Sequence, residues 1–360
     1  MRRLTVFLFA LLVSVAMMAQ GDVLRLAVCG VSHGHLGDLM GRMNRGDFEV
    51  VGVWEPNDDY RANNGLVGRV SADKFYGNIG EMLDAVKPEC VVSYGSILEH
   101  MQVVEACAPR GIHVMVEKPL ATTYKQALKI KQLAEKYGIK VMVNFETTWY
   151  ATNHQAHQIA QSGRLGDIRR INVYDGHEGP KEIGCGQMFL DWLTDPVKNG
   201  GGAVIDFGCY GANLATWFMN GEKPLSVYAV LQHNKPETYP LVDDDATIIL
   251  EYPGTTVQIM ASWCWPNSRK DMYVYGDRGY VYQRNGQKMT TFVDGKNGSE
   301  VDAPRLQAPY DDSYRYLKAL VRGEIEEQPS DLCALENNVT VVQILEAAIK
   351  SAKTGKKVRL

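Results

Sequence analysis

Missing from this chain are an excess of one charge, a cysteine framework and any long apolar run beyond its first twenty residues. Each absence excludes something. Acidic residues number 42 and basic residues 38, for a net charge of −4, so nothing favours nucleic acid or an anionic membrane surface as a partner. The seven cysteines (Cys29, Cys90, Cys107, Cys185, Cys209, Cys264 and Cys333) are odd in number and form no C-x-x-C pair. They read as small buried apolar residues rather than as a disulfide scaffold. No internal repeat and no low-complexity tract interrupts the sequence.

The first twenty residues are different in kind. Arg2 and Arg3 precede an apolar run from Leu4 to Met18, and the small residue Ala19 follows. That is the order of a secretory signal. The run falls short of the ~20 residues a membrane span needs, and Gln20-Gly21-Asp22 end it. Cleavage near Ala19–Gly21 is expected, leaving a secreted or periplasmic protein without a membrane anchor. Paired arginines suggest twin-arginine export, but Met1 and Leu4-Thr5-Val6 do not fit that motif. Residues 1–20 therefore read as a leader, 21–144 as one domain and 145–360 as a second.

Within the first domain short apolar runs alternate with helical stretches. Strands are expected at Leu24–Cys29, Val50–Trp54, Cys90–Ser93, His113–Val116 and Lys140–Asn144. Helices are expected between them, which implies βαβ units and a doubly wound parallel sheet, an α/β Rossmann arrangement. After about residue 145 the pattern changes. Apart from single helices over His154–Gln161 and after Gly200-Gly201-Gly202, strand-like runs follow one another from Ser226 to Val293, and Pro253-Gly254 signals a hairpin. This half reads as an α+β domain with an open, mainly antiparallel sheet. Two closing helices, near Tyr314–Val321 and Glu336–Ser351, are placed to pack back on the first domain.

Three constellations carry chemistry. The first strand runs into Gly30-Val31-Ser32-His33-Gly34-His35. Only the first position of G-x-G-x-x-G is glycine, but a strand before it and a helix after it suit a dinucleotide pyrophosphate. Glu55 ends the second strand, where a carboxylate accepts from ribose hydroxyls and repels a 2′-phosphate. Pro56 supplies no adjacent arginine, so NAD(H) is expected over NADP(H). The strand ending at Val116 delivers Glu117-Lys118-Pro119 to the carboxyl edge of the sheet, where ligands of doubly wound folds bind. An ammonium there can stabilise a developing alkoxide. Finally, a helix after Gly200-Gly201-Gly202 would gather Asp206, Tyr210, Asn213 and Trp217 on one face. No metal is expected. His33 and His35 lack a third ligand at suitable spacing, His177-Glu178 reads as a polar loop, and Asp243-Asp244-Asp245 reads as a solvated turn rather than a calcium loop.

Taken together, these residues resemble the glucose–fructose oxidoreductase/inositol dehydrogenase/MocA family. The resemblance rests on the Gly30 loop, Ser93-Tyr94-Gly95-Ser96 with His100 beyond it, and Glu117-Lys118-Pro119. It continues through Ser162-Gly163-Arg164-Leu165-Gly166, Gly200-Gly201-Gly202 and Asp206-x-Gly208-x-Tyr210. It implies a Rossmann domain joined to an open sheet, and NAD(P)-linked chemistry on sugars or polyols. Lys118 matches the family's essential lysine and Asp206 the aspartate of its D-x-G-x-H motif. Tyr210 stands where most members have histidine, as in the branch with glucose–fructose oxidoreductase and dihydrodiol dehydrogenase, which Asn213 also suits. The resemblance places Gly30, Ser32, His33, His35, Glu55, Tyr94, His100, Glu117 and Lys118 around the NAD. Asn213 and Trp192 are expected to touch the substrate.

On this reading Tyr210 takes a hydroxyl proton, and the Lys118 ammonium lowers its pKa from ~10 toward working pH. Asp206 orients the substrate or Tyr210. Two rivals are an NAD-dependent glycosidase with an internally recycled cofactor and, more remotely, a non-catalytic sugar- or nucleotide-binding protein. A face of the second sheet is open to subunit pairing.

Overall fold

The protein is described here from a computed structural model covering residues 23–360. The expected leader lies outside the described residues. No described helix is long and apolar enough to cross a membrane.

The first half builds a six-stranded, wholly parallel sheet. Its strands are β1 (Leu24–Cys29), β2 (Phe48–Trp54), β3 (Phe75–Tyr76), β4 (Cys90–Ser93), β5 (His113–Glu117) and β6 (Val141–Asn144). They lie in the order β3-β2-β1-β4-β5-β6. Most strand residues are apolar and buried on both faces, as parallel sheets covered by helices require. Helix α1 (Leu36–Arg42) follows β1, α2 (Asp58–Ala62) follows β2, and α3 (Ile79–Val86), α4 (Glu99–Cys107) and α5 (Tyr124–Tyr137) complete the crossovers. Strand order reverses between β1 and β4, so the ligand crevice lies where the chain leaves these two strands. There Gly30 has φ +77°, and a Cβ on it would stand 2.4 Å from the Gly95 amide nitrogen. The two loops meet backbone to backbone, which only glycine permits.

Helix α6 (Ala151–Gln161) leads to β7 (Ile168–Gly176). Three helices follow, α7 (Gln187–Leu193), α8 (Ala203–Asp206) and α9 (Gly208–Phe218). Then come β8 (Ser226–Gln232), β9 (Asp245–Tyr252), β10 (Thr255–Ser262), β11 (Arg269–Gly276), β12 (Tyr280–Gln283) and β13 (Lys288–Val293). With short edge strands they form one sheet in which β7 sits centrally, between β11 and β10. Its pairing with β10 is parallel and the remaining pairings are antiparallel. The long helical excursion after β7 is what allows it to be central. Tyr252 and Thr255 close the β9–β10 hairpin around Pro253-Gly254.

Two helices end the chain, α10 (Ser313–Arg322) and α11 (Leu335–Thr354). Tyr314, Leu317 and Leu320 of α10 join a core with Leu24, Leu26 and Val28 of β1. Asp312 caps α10 and accepts from Arg42 and Arg45 of the first half at 2.5 and 2.7 Å. α11 packs on α9 and β8.

Candidate active site

Lys118 leaves the carboxyl end of β5 and points toward α8. Its Nζ donates to the Asp206 Oδ1 at 2.5 Å and to the Asp206 carbonyl at 2.9 Å. The other carboxylate oxygen of Asp206 accepts from the Trp263 indole at 2.9 Å. Both partners are buried. Burial opposes the charge on each, yet their mutual attraction wins, so the lysine titrates above and the aspartate below its usual range. Both Asp206 oxygens are thus bonded to Lys118 and Trp263, so this carboxylate orients the lysine, where the sequence reading has it orient the substrate or Tyr210.

Asp206 is itself held by a cap the sequence disguised. The Asp243 carboxylate accepts from the Gly202 and Val204 amides at 2.8 and 2.7 Å, closing the start of α8. A Cβ on Gly202 would fall 1.8 Å from the Asp243 carbonyl oxygen, which accounts for a glycine there. Asp244 is fully buried and accepts from the Asn234 and Lys235 amides. The Asp243–Asp245 run is therefore a structural joint and not a solvated turn.

Tyr210 is 1% exposed. The Lys118 Nζ stands 5.0 Å and the Lys270 Nζ 4.3 Å from its ring centroid. Lys270 is ion-paired with the half-exposed Glu146, which also accepts from the Tyr150 hydroxyl at 2.5 Å. Burial pushes the Glu146 carboxyl up, and Lys270 more than offsets this. Asp175 faces Lys270 across the β7–β11 ladder and is buried, with one oxygen lacking a hydrogen-bond partner among the described residues. Burial holds it well above the usual carboxyl range, in its neutral form. Burial, with Glu146 and Asp175 nearby, also drives the Tyr210 phenol well above its ordinary value. The expected lowering by Lys118 is therefore not found: burial of the phenol outweighs it.

These groups line a cavity of about 960 Å³ that also reaches His33, His35, Phe189 and, at its mouth, Arg284. On the side of the first sheet the His35 Nδ1 lies 2.9 Å from one Glu117 oxygen, and Asn144 donates to the other at 2.9 Å. Burial disfavours both charges, but the pair lowers Glu117 to about 2 and raises His35. His33, His35 and Glu117 present ligand atoms within 4.8 Å of one another. The ion pair, and the His35 amide donated to the His33 Nδ1 at 3.0 Å, already employ those atoms, and we assign no metal. Phe189 and Trp192 of α7 close over His33, with centroids 5.0 and 5.5 Å away.

Two family models match the chain. One, described as an oxidoreductase family with an NAD-binding Rossmann fold, covers residues 24–145, and the GFO/IDH/MocA C-terminal domain covers residues 153–282. The chain belongs to the GFO/IDH/MocA oxidoreductase family. It is 25% identical over 317 residues to a trans-1,2-dihydrobenzene-1,2-diol dehydrogenase of Xenopus laevis, covering 84% of this chain and 90% of that protein. Among solved structures, an aldose-aldose oxidoreductase of Caulobacter crescentus, complexed with glycerol, superposes with a TM-score of 0.79 at 21% identity. That match covers 94% of this chain and all (100%) of the other. An inositol dehydrogenase homolog of Azotobacter vinelandii, complexed with NAD+, gives 0.79 at 16% identity, covering 94% and 98%. The protein is thus an NAD-binding oxidoreductase of the GFO/IDH/MocA family.

Against that family frame, the residues expected at the site divide. Lys118, Asp206, Tyr210, His33, His35 and Glu117 converge as expected. Ser32 is buried in the same loop. Glu55 lies at the end of β2, but its oxygens accept from the Val31 and Asn57 amides at 3.2 and 2.9 Å. It braces the Gly30 loop, and burial raises its pKa above the usual carboxylate range. An arginine does reach this point. Arg61 donates to the Glu55 carbonyl at 2.7 Å and pairs with Asp58, which occupies its guanidinium. Tyr94 bonds the Tyr314 hydroxyl beneath the loop, and His100 is fully buried against the Leu120 carbonyl at 3.2 Å. Neither side chain borders the cavity. Trp192 does not line the cavity and stands behind His33 and Phe189, which do. Asn213 is buried and donates to the Leu332 carbonyl at 2.8 Å, and Trp217 stacks on His157 at 3.9 Å. The expected polar face is therefore split. Of the four, only Asp206, before a break at Phe207, and Tyr210, after it, line the cavity. Missing from the sequence reading were Glu146, Asp175 and Lys270. Glu146 had a signal, since it follows β6 at the same sheet edge that singled out Lys118.

Proposed function

We propose that this NAD(H)-dependent oxidoreductase acts on a secondary hydroxyl or carbonyl of a sugar, polyol or related compound. Tyr210 is the acid–base group and Lys118 assists. The observation that carries the reading is the Tyr210 ring lying within 5.0 Å of two ammonium groups in a cavity beyond the carboxyl edge of the parallel sheet.

The residues fit a dinucleotide. The Gly30 turn packs against Gly95 at the switch point of the sheet, where a dinucleotide would lie, and a carboxyl, Glu55, stands at the end of β2, which favours NAD over NADP. When bound, the dinucleotide supplies the hydride acceptor or donor; the protein's own groups handle the proton. In the reducing direction the Tyr210 phenol donates its proton to the carbonyl oxygen of the substrate. Lys118, fixed by Asp206, stabilises negative charge developing on that oxygen. In the oxidising direction Tyr210 must first be ionised, and the ammonium groups beside it favour that form. Hydroxyl-bearing substrates agree with the dihydrodiol, aldose and inositol named for the relatives. Turnover of a polyol and aldose panel with NAD+, comparing the parent with Tyr210→Phe, tests the assignment. Equal rates would remove it.

A second reading is favoured by the cavity's reach to Arg284 and Asn285, which leaves room for a second group on the sugar. An NAD-dependent glycosidase would use that room for an aglycone and would release it without net NADH. The leader pattern of residues 1–20 supports a secreted or periplasmic setting, where recycled cofactor is an advantage.

A further inference from the structure

Lys118 is not the only ammonium at the phenol. Lys270 is nearer to the Tyr210 ring, at 4.3 Å against 5.0 Å. It reaches the site from β11 and is held by Glu146, which the turn after β6 supplies. We infer that Lys270 and Glu146 form a positioning pair that sets where Tyr210 gains and loses its proton. The inference deepens the proposed function and rests on Tyr210 being the acid–base group.

The reasoning is electrostatic. A cation over an aromatic face is attracted by the ring quadrupole. It favours the phenolate further, because a full negative charge then replaces the ring quadrupole. Glu146 acts in the opposite sense twice over. Its own charge disfavours the phenolate, and it occupies the ammonium. The charged and titratable groups facing Tyr210 come from six places. Lys118 follows β5, Glu146 follows β6, Asp175 is on β7, Asp206 on α8, Cys209 on α9 and Lys270 on β11. Lys118 is bound twice by the buried Asp206, and burial raises the Asp175 carboxyl well above its usual range. The Lys270–Glu146 bridge is different. Its carboxylate is half-exposed at the cavity wall, where substrate or water can take up one of its bonds. Substrate seated against Glu146 would release Lys270 toward Tyr210 just as the proton must leave.

The pair makes a prediction of opposite signs. Glu146→Gln removes the anion and frees the cation, so the Tyr210 pKa falls. Lys270→Met removes the cation and strands the anion, so it rises. With both substitutions the changes largely cancel. The test is a ¹³C NMR titration of the NAD+-saturated protein labelled at tyrosine Cζ, the Tyr210 signal being assigned by its loss in Tyr210→Phe. The expected result is a downward shift of roughly one unit or more in Glu146→Gln. In Lys270→Met the signal stays neutral to higher pH than in the parent, and the double variant returns to within about half a unit of it. Lys270→Arg should restore the parent titration closely. Shifts of the same sign in the two single variants, or no shift in Glu146→Gln, would overturn the inference. A purely structural role predicts loss of stability with no movement of this titration. Because the readout is ionisation and not turnover, its failure is distinct from an active Tyr210→Phe, which would remove the acid–base reading itself.

Discussion

Replacing Asp206 by asparagine tests the core of the site most severely. The substitution keeps the shape of the side chain and removes its charge. Lys118 then remains buried, 7% exposed, with its ammonium deprived of a carboxylate that stood at 2.5 Å. Breaking such a pair by removing one partner costs ~3–5 kcal/mol, because the surviving charge is uncompensated. Asp175 also faces Lys118 and can ionise in response, so the lower end, about 3 kcal/mol, is expected here. Chemical denaturation of the NAD-free protein reads this as a lower midpoint at unchanged slope. The pH dependence supplies a second criterion. In the parent the folded lysine titrates above its unfolded value, so its contribution is complete below ~10.4 and lost as pH rises through the folded pKa. Asp206 titrates below its unfolded value, so its contribution is present above ~3.9 and lost as pH falls through the folded pKa. The pair itself is thus insensitive to pH across the neutral range. In Asp206→Asn, burial alone governs Lys118 and lowers its pKa, so the unfolded chain binds the proton more tightly and stability climbs with pH. The deficit should narrow steadily from neutrality toward pH ~10. Lys118→Met with Asp206→Leu, two apolar groups in place of the pair, should recover most of the loss. An Asp206→Asn protein within ~0.5 kcal/mol of the parent, with no dependence of the difference on pH, would refute the burial argument.

Further expectations follow from the same geometry. Tyr210→Phe keeps the ring and its packing on Phe145, so NAD binding measured by fluorescence should survive, while turnover of an accepted substrate falls ~10²–10⁴-fold. Asp243→Ala removes the cap of α8 and should cost ~1–2 kcal/mol in denaturation, with a drop in turnover because Asp206 loses its anchorage. Glu55→Ala should weaken NAD binding and narrow its advantage over NADP in a fluorescence titration; tighter binding of NADP by the parent would contradict the role given to this carboxylate. N-terminal sequencing of protein from its native host should begin near Gly21 or Asp22, and an intact Met1 would refute the leader.

The sequence disclosed those parts of the site that one strand or one motif carries. Glu117 and Lys118 were legible because a buried strand ends there, and the edge of a doubly wound sheet is where ligands bind. Tyr210 was legible through its spacing from Asp206. What was hidden depends on contacts between segments far apart in the chain. Asn213 sits three residues beyond Tyr210, which a continuous helix would place on the same face. The helix from Gly208 to Phe218 does carry both, but the Leu332 carbonyl, 119 residues away, covers Asn213 and captures its amide. Asp243 and Asp244 look like a solvated run because three adjacent carboxylates usually are one. They are buried because open backbone amides of residues 202–204 and 234–235 need acceptors, a demand invisible without the fold. Lys270 stands at the start of a strand that alternates outward and inward, and only the register against β7 shows that it faces Asp175 and not solvent.

That register has a consequence for the chemistry. The two ion pairs at Tyr210 join segments far apart in the chain: Lys118, after β5, with Asp206 of α8, and Glu146, after β6, with Lys270 of β11. A site with two such bridges can be assembled only when these segments are docked. The phenol of Tyr210 is deeply buried and strongly disposed to keep its proton. Displacing α8 would lengthen the 2.5 Å contact of Asp206 and release Lys118, although neither Lys118 nor Tyr210 had been changed. On the proposed function, a variant that loosens this docking should lose turnover before it loses fold.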